Sequence, residues 1–274
     1  MFRSLFFFLF ASFGVGLLCS IFLVSLKEIG SFFFRLNTLI AFFLIGSALL
    51  AMPFGSFNFN ALLNLRAPEA IGQLTYLFLV LSSLFLLIYN LFLPRLHGVL
   101  LSAAIVAGML GISFYALAAV VFFRTPGVSA TFLVLHEITA ALCLGSVLGA
   151  MITGHWYLVQ HKLSITPLKK STLLYLISVS LKTLLIGASF FLYGNWANGK
   201  ILELLTTASL GSVFLYLRLI VGLVLPVIFG VMIWKAVKLH STQSATGMLY
   251  ATIVLILMGE MFGKVLTVSL GMPL

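Results

Sequence analysis

Six ionisable residues stand inside long apolar stretches of the chain. They are His136, Glu137, Lys182, Arg218, Glu260 and Lys264. An ionisable side chain at the centre of a bilayer costs at least about 2.5–3.5 kcal/mol on insertion scales, so such residues persist where they pair, face a cavity or carry a function. Glu260 and Lys264 are four positions apart, a spacing that favours an ion pair along one helix face.

Together these residue types suit proton exchange beside a ligand with carbonyl oxygens, such as a quinone head group. Imidazole and carboxylate groups accept the protons that an oxidised quinol releases, and ammonium and guanidinium groups donate hydrogen bonds to carbonyl oxygens. The predicted catalytic, proton-exchanging residues are His136, Glu137 and Glu260. The predicted cofactor-binding residues are Arg218, Lys264, Lys182 and His155.

The composition indicates that lipid surrounds the elements that hold these residues. Hydrophobic residues make up 62% of the 274 and charged residues 7%, whereas a soluble domain carries roughly a quarter charged residues. The net charge of +10 is spread thinly between apolar runs. This distribution is typical of membrane topology signals, because nucleic-acid-binding proteins cluster their basic residues. The expected partners are therefore the lipid bilayer and other membrane subunits, with no nucleic acid.

Eight continuous apolar stretches reach the roughly 20 residues that a helix needs to cross a membrane. They cover residues 5–26, 31–53, 71–93, 98–123, 131–158, 172–193, 211–235 and 247–270. The predicted fold class is all-α, a polytopic integral membrane bundle of eight transmembrane helices.

The distribution of Lys and Arg between the connections predicts the orientation of the bundle. One side would carry eight basic residues, Lys27, Arg35, Arg95, Lys162, Lys169, Lys170, Lys235 and Lys238. The other side would carry four, Arg3, Arg66, Arg124 and Lys200. The richer side is predicted to be cytoplasmic, which places both termini outside in a multi-pass protein of the cell inner membrane.

The embedded ionisable residues divide the chain into two predicted halves. All six fall in the last four stretches, and a helical rise of 1.5 Å per residue places five of them about 8–15 Å from the outer boundary. We therefore predict a support half over residues 1–128 and a polar half, with the site, over residues 129–274.

Haem is the weaker candidate for a cofactor. A b-type haem takes two histidines on facing helices, and His97 and His155 are the pair that falls on one side, the inner one. Both lie at the membrane boundary, where a histidine ordinarily faces water. No His or Cys spacing matches a metal site, so no metal is expected.

The run Gly259-Glu260-Met261-Phe262-Gly263-Lys264 in the last stretch is similar to a Gly-Glu-x-x-Gly-Arg pattern, with lysine in place of the arginine. Through this run, the helix number and the outward N-terminus, the chain resembles the NrfD-like membrane-anchor subunits of polysulfide and dimethyl-sulfoxide reductases. That resemblance implies electron exchange between quinols and an iron–sulfur partner, without haem in most members.

Two other functions fit the same residues. Lys182, Arg218 and Glu260 suit an anion or proton-coupled transport path, with Pro226 as a helix break of the kind that transporters use. Fully paired charges would instead suit a non-catalytic scaffold subunit. The sequence favours a quinone-binding subunit of an electron-transfer complex. The protein would then be part of an enzyme only as one subunit of an oxidoreductase complex.

Overall fold

The computed structural model of the chain is helical over its described residues, with no strand among them. Those residues are 2–52, 58, 68–92, 97–123, 129–160, 163–193, 209–270 and 273–274. Within them, eight helices are long and apolar enough to cross a membrane. The predicted all-helical class is thereby confirmed, and so is the predicted number of helices long and apolar enough to cross a membrane.

Helices follow one another through the described residues. Their bounds are α1 (Phe2–Phe22), the short α2 (Leu26–Ile29), α3 (Ser31–Leu50), α4 (Pro68–Phe92), α5 (His97–Phe123), α6 (Ala130–Val159), α7 (Thr166–Tyr193), α8 (Leu210–Leu219), α9 (Leu225–Lys238) and α10 (Thr242–Leu270). A π-helical turn, Ile220–Val224, joins α8 to α9 into one continuous span.

Two helices begin well before the apolar stretches that predicted them. Helix α7 begins at Thr166 and α10 at Thr242, whereas hydropathy alone placed their starts at 172 and 247. The first turns of both helices are polar, so a count of apolar residues misses them. Pro167 suits the first turn of α7, because a backbone N–H there has no partner within the helix.

Helix α6 is the centre of the bundle and contacts α1, α5, α7 and α10. Its close approach to α1 depends on glycine, because Gly145 lies directly against the backbone of Gly16 and Gly149 lies against Ser20. Small residues at such a crossing let two helix backbones touch, which is how helices associate in lipid. The two predicted halves are therefore in intimate contact through α1 and α6.

The π-helical turn precedes Pro226. Proline has no backbone N–H and cannot donate to the carbonyl four residues earlier, and here the N–H of Leu225 reaches the carbonyl of Ile220 five residues earlier. The carbonyl of Pro226 accepts a hydrogen bond of 2.5 Å from the hydroxyl of Tyr175 on α7. This bond ties the irregular span to its neighbour.

One end of the bundle gathers basic residues, and we call it the basic end. Lys170 at the start of α7 lies 4.0 Å from Glu28 of α2, which brings the first and fifth connections together. Lys235 and Lys238 end α9. Arg95 and Lys162, which the charge count also assigned here, lie outside the described residues, as do Arg66, Arg124 and Lys200.

Candidate functional site

All six embedded ionisable residues come together near the other end of the bundle, and we call this group the charged cluster. Helix α6 brings His136 and Glu137, α7 brings Lys182, the last turn of α8 brings Arg218, and α10 brings Glu260 and Lys264. A capping box between Ser209 and Ser212 begins α8, and this cap satisfies backbone donors two turns before Arg218.

Glu260 holds the deepest part of the cluster. Its Oε1 accepts a hydrogen bond of 3.0 Å from Nη1 of Arg218, and its Oε2 lies 3.5 Å from Nζ of Lys182. The three residues are 3%, 0% and 4% exposed in that order. Removing ions from water costs several kcal/mol each, so this carboxylate is essential to the burial of both cations.

Glu137 and Lys264 form the second ion pair, between α6 and α10. The ammonium of Lys264 also lies 4.1 Å from the ring centre of Phe8 on α1 and 5.7 Å from that of Tyr115 on α5. Both rings belong to the predicted support half, so two of its helices border the cluster.

This pairing corrects the expected ion pair between Glu260 and Lys264. The i,i+4 spacing permits it, but each side chain meets its partner on another helix. In a tightly packed bundle the neighbouring helices offer opposite charges at contact distance, and a pair within one helix contributes only about 0.2–0.5 kcal/mol.

His136 on α6 is hydrogen-bonded to two residues of α7, Lys182 and Ser189. Nζ of Lys182 lies 3.1 Å from the backbone oxygen of His136 and 3.4 Å from its Nδ1, while Nε2 lies 3.1 Å from Oγ of Ser189. The Ser189 hydroxyl itself donates to the carbonyl of Leu185 at 3.1 Å. Because that hydrogen is used, Nε2 donates to Ser189 and Nδ1 accepts from Lys182, which describes a neutral imidazole.

We expect Ser189→Ala to lower the free energy of unfolding by about 0.5–1.5 kcal/mol, because it removes the hydrogen bond between the Ser189 hydroxyl and the buried Nε2 of His136. Chemical unfolding in mixed micelles would measure the loss. Ser178→Ala is the matched control, since Ser178 is buried on the same helix and also donates to the carbonyl four residues earlier. Equal losses for the two variants would contradict the assigned network.

His155 and His97 do not join the charged cluster. Nδ1 of His155 lies 3.2 Å from the hydroxyl of Tyr250 on α10, at an exposed position. Nδ1 of His97 lies 2.7 Å from the hydroxyl of Tyr89 on α4. Each imidazole thus has a tyrosine partner, and the described residues contain no group of three potential metal ligands.

Sequence reasoning missed the neutral members of the site. Ser189 carries no signal beyond being a polar residue in an apolar helix, and Phe8 and Tyr115 are ordinary apolar-helix residues whose position depends on the packing of α1 and α5. Gly259 and Gly263 do carry a signal, because four-residue glycine spacing predicts a close helix contact; Gly259 lies directly against Gly222 of the π-helical turn.

We compared the chain with known proteins, and no protein-family model, curated protein or solved structure matches it. The class that the fold defines is a helical bundle with eight helices long and apolar enough to span a membrane, among the residues that the structure describes. Its distinguishing feature is the buried charged cluster between α6, α7, α8 and α10.

Proposed function

We propose that the chain is a quinone-binding membrane subunit of an electron-transfer complex, with the head group at the pair of Glu137 and Lys264. The observation that carries the proposal is that this pair has an unpartnered carboxylate oxygen and a partly exposed ammonium side chain. Oε2 of Glu137 is buried and has no hydrogen-bond partner among the described residues. The side chain of Lys264 is 18% exposed, whereas the side chains of the other charged members of the cluster are at most 7% exposed.

The groups around the pair match the chemistry of a quinone. The ammonium of Lys264 can donate to a carbonyl oxygen, and Oε2 of Glu137 can accept a proton. Phe8 and Tyr115 supply flat apolar surface beside the ammonium. Quinol oxidation releases two protons and two electrons; the protons would pass to Glu137 and the neighbouring His136, and the electrons to an iron–sulfur partner subunit.

The deeper residues would support this chemistry without contacting the head group. Glu260 is held between Arg218 and Lys182 and keeps these two cations in place. The two cations would stabilise negative charge on a reduced head group. His155 lies away from this site and would belong to a second, basic-end contact.

We expect the purified protein to retain a quinone that lipid extraction recovers, and Lys264→Met to lower binding of added decylubiquinone about tenfold or more, because a charge-assisted hydrogen bond contributes about 1.5–3 kcal/mol. Lys238→Met is the control, since Lys238 is exposed at the basic end. A visible spectrum of the same preparation detects haem. A wild-type protein that neither carries nor binds quinone would overturn the proposal.

The protein would lie in the cell inner membrane with the basic end in the cytoplasm and both termini outside. The support is the positive-inside distribution of Lys and Arg, together with the contact between Lys170 and Glu28 that gathers two basic connections. A membrane-impermeant maleimide applied to intact cells should label Ser129→Cys and spare Lys238→Cys; the reverse pattern would contradict this orientation.

A transporter is the second candidate, and the π-helical turn Ile220–Val224 favours it. Irregular turns of this kind occur frequently at functional sites, and transporters break helices at their binding sites. Here the turn begins two residues after Arg218. Proton or anion flux into proteoliposomes of the purified chain, abolished by Arg218→Lys, would select this function over quinone binding.

A further inference from the structure

Arg218 has hydrogen-bonding capacity that the described protein does not use. The residue is 0% exposed, and only its Nη1 has a partner, Oε1 of Glu260. Nε and Nη2 are buried and have no partner among the described residues. These two atoms form the side edge of the guanidinium, whose parallel donors match the two oxygens of a carboxylate. Leaving such donors unpaired in the interior is costly.

The free edge lies beside Gly263, where the helix surface carries no side chain. A Cβ at Gly263 would be 2.9 Å from Nε and 3.0 Å from Cζ of Arg218, and 2.6 Å from the backbone oxygen of Leu274. The guanidinium therefore rests against the bare backbone of α10. Gly222 and Gly259 are in contact one turn away, and a Cβ at Gly222 would be 3.4 Å from Nη1 of Arg218.

The charges of the cluster do not balance. Lys182, Arg218 and Lys264 are cations, and Glu137 and Glu260 are the carboxylates that pair with them. His136 is neutral in the hydrogen-bond network described above. Counted at their ordinary protonation, these side chains carry one positive charge more than negative charge, in a region where burial of an uncompensated ion costs several kcal/mol. An anion with one negative charge would remove the excess.

We infer that the free edge of Arg218 is a carboxylate-binding site, in which a monovalent carboxylate bridges Nε and Nη2 beside Gly263. The ligand would be a small organic acid or the carboxyl group of a fatty acid, which share the chemistry that the edge recognises. This site is distinct from the proposed quinone contact at Lys264 and Glu137, and it stands whether or not a quinone binds there.

The test uses the full chain in nanodiscs of phosphatidylcholine alone, which has no anionic head group. Sodium formate should raise the melting temperature more than sodium chloride at equal ionic strength. Oleate in the same nanodiscs forms the second arm. A shift with formate identifies a site open to free acids, and a shift with oleate alone identifies a fatty acid as the carboxylate. Equal effects of formate, oleate and chloride would overturn the inference.

Two variants locate the site. Arg218→Lys removes the paired edge and Gly263→Ala places a methyl group against it, so each should weaken the affinity for the stabilising acid, formate or oleate, about tenfold or more. Gly247→Ala on the same helix is the control, because nothing lies within 4 Å of its Cβ position. Unchanged affinity for that acid in both Arg218→Lys and Gly263→Ala would overturn the assignment.

The wild-type protein provides a readout that is independent of variant folding. With arginine labelled by nitrogen-15, whichever of formate and oleate stabilises the protein should also shift the Nε–H resonance of the buried Arg218, and its titration without that shift would overturn the inference. Formate binding that persists in Lys264→Met, where quinone binding is expected to fail, would separate this site from the proposed function.

Discussion

Glu260→Gln should lower the free energy of unfolding by about 3–5 kcal/mol, the range for breaking a buried ion pair by removing one partner. The substitution keeps the shape of the side chain but leaves Arg218 and Lys182 without their shared carboxylate. The cost therefore arises from two buried cations rather than from lost packing. Chemical unfolding in mixed micelles measures it directly.

Two further variants test whether the loss of stability comes from the buried charges and not from replacing glutamate by glutamine in general. Glu69→Gln removes a carboxylate from an exposed position at the start of α4, and it should change stability by less than about 1 kcal/mol. The double variant Glu260→Gln with Lys182→Met should be more stable than the sum of the single losses predicts, because one orphaned charge is gone. Strict additivity would show that the two residues do not interact.

Gly145→Ala should also be strongly destabilising, although alanine is the better helix former. In an open helical position this exchange is favourable by about 0.8–1.0 kcal/mol. At Gly145 the new methyl group would overlap the backbone of Gly16 and Leu17 on α1. Backbone cannot move aside as a flexible side chain can, so α1 and α6 must separate, and we expect a net loss of about 1–3 kcal/mol or more.

Gly46→Ala is expected to raise the free energy of unfolding, whereas Gly145→Ala is expected to lower it. No atom lies within 4 Å of the Cβ position at Gly46 in α3, so the intrinsic preference for alanine should appear there as a gain. Unfolding of the two variants side by side tests the sign directly. A gain at both positions would show that α1 and α6 do not touch in the folded protein.

The charged cluster shows how far spacing along the chain can predict a site. Its six charged and imidazole members are recognisable because they are out of place in apolar helices, and the antiparallel order of the helices brings them to similar depths. Their partners were not predictable, since Glu260 and Lys264 are neighbours on α10 yet each pairs with another helix. Pairing depends on the rotation of each helix about its axis.

The contacts that the first half of the chain makes with the charged cluster could not be predicted either, because they also depend on the rotation of each helix about its axis. Phe8 and Tyr115 reach Lys264 because α1 and α5 pack on α6, and Gly16 lets α1 approach closely enough. A helix apolar on all sides gives no sign of which face turns inward. The predicted division into a support half and a polar half therefore describes where the charges lie and leaves open which helices border them.

The sequence by itself determined the eight apolar helices and the group of ionisable residues within them, because continuous apolar character and isolated charges are local properties of the chain. Only the tertiary structure decided that Arg218 keeps a free edge, that His136 is held neutral between Lys182 and Ser189, and that His155 lies apart from the cluster. Those outcomes depend on distances between helices, which close packing sets and the spacing of residues along one helix does not.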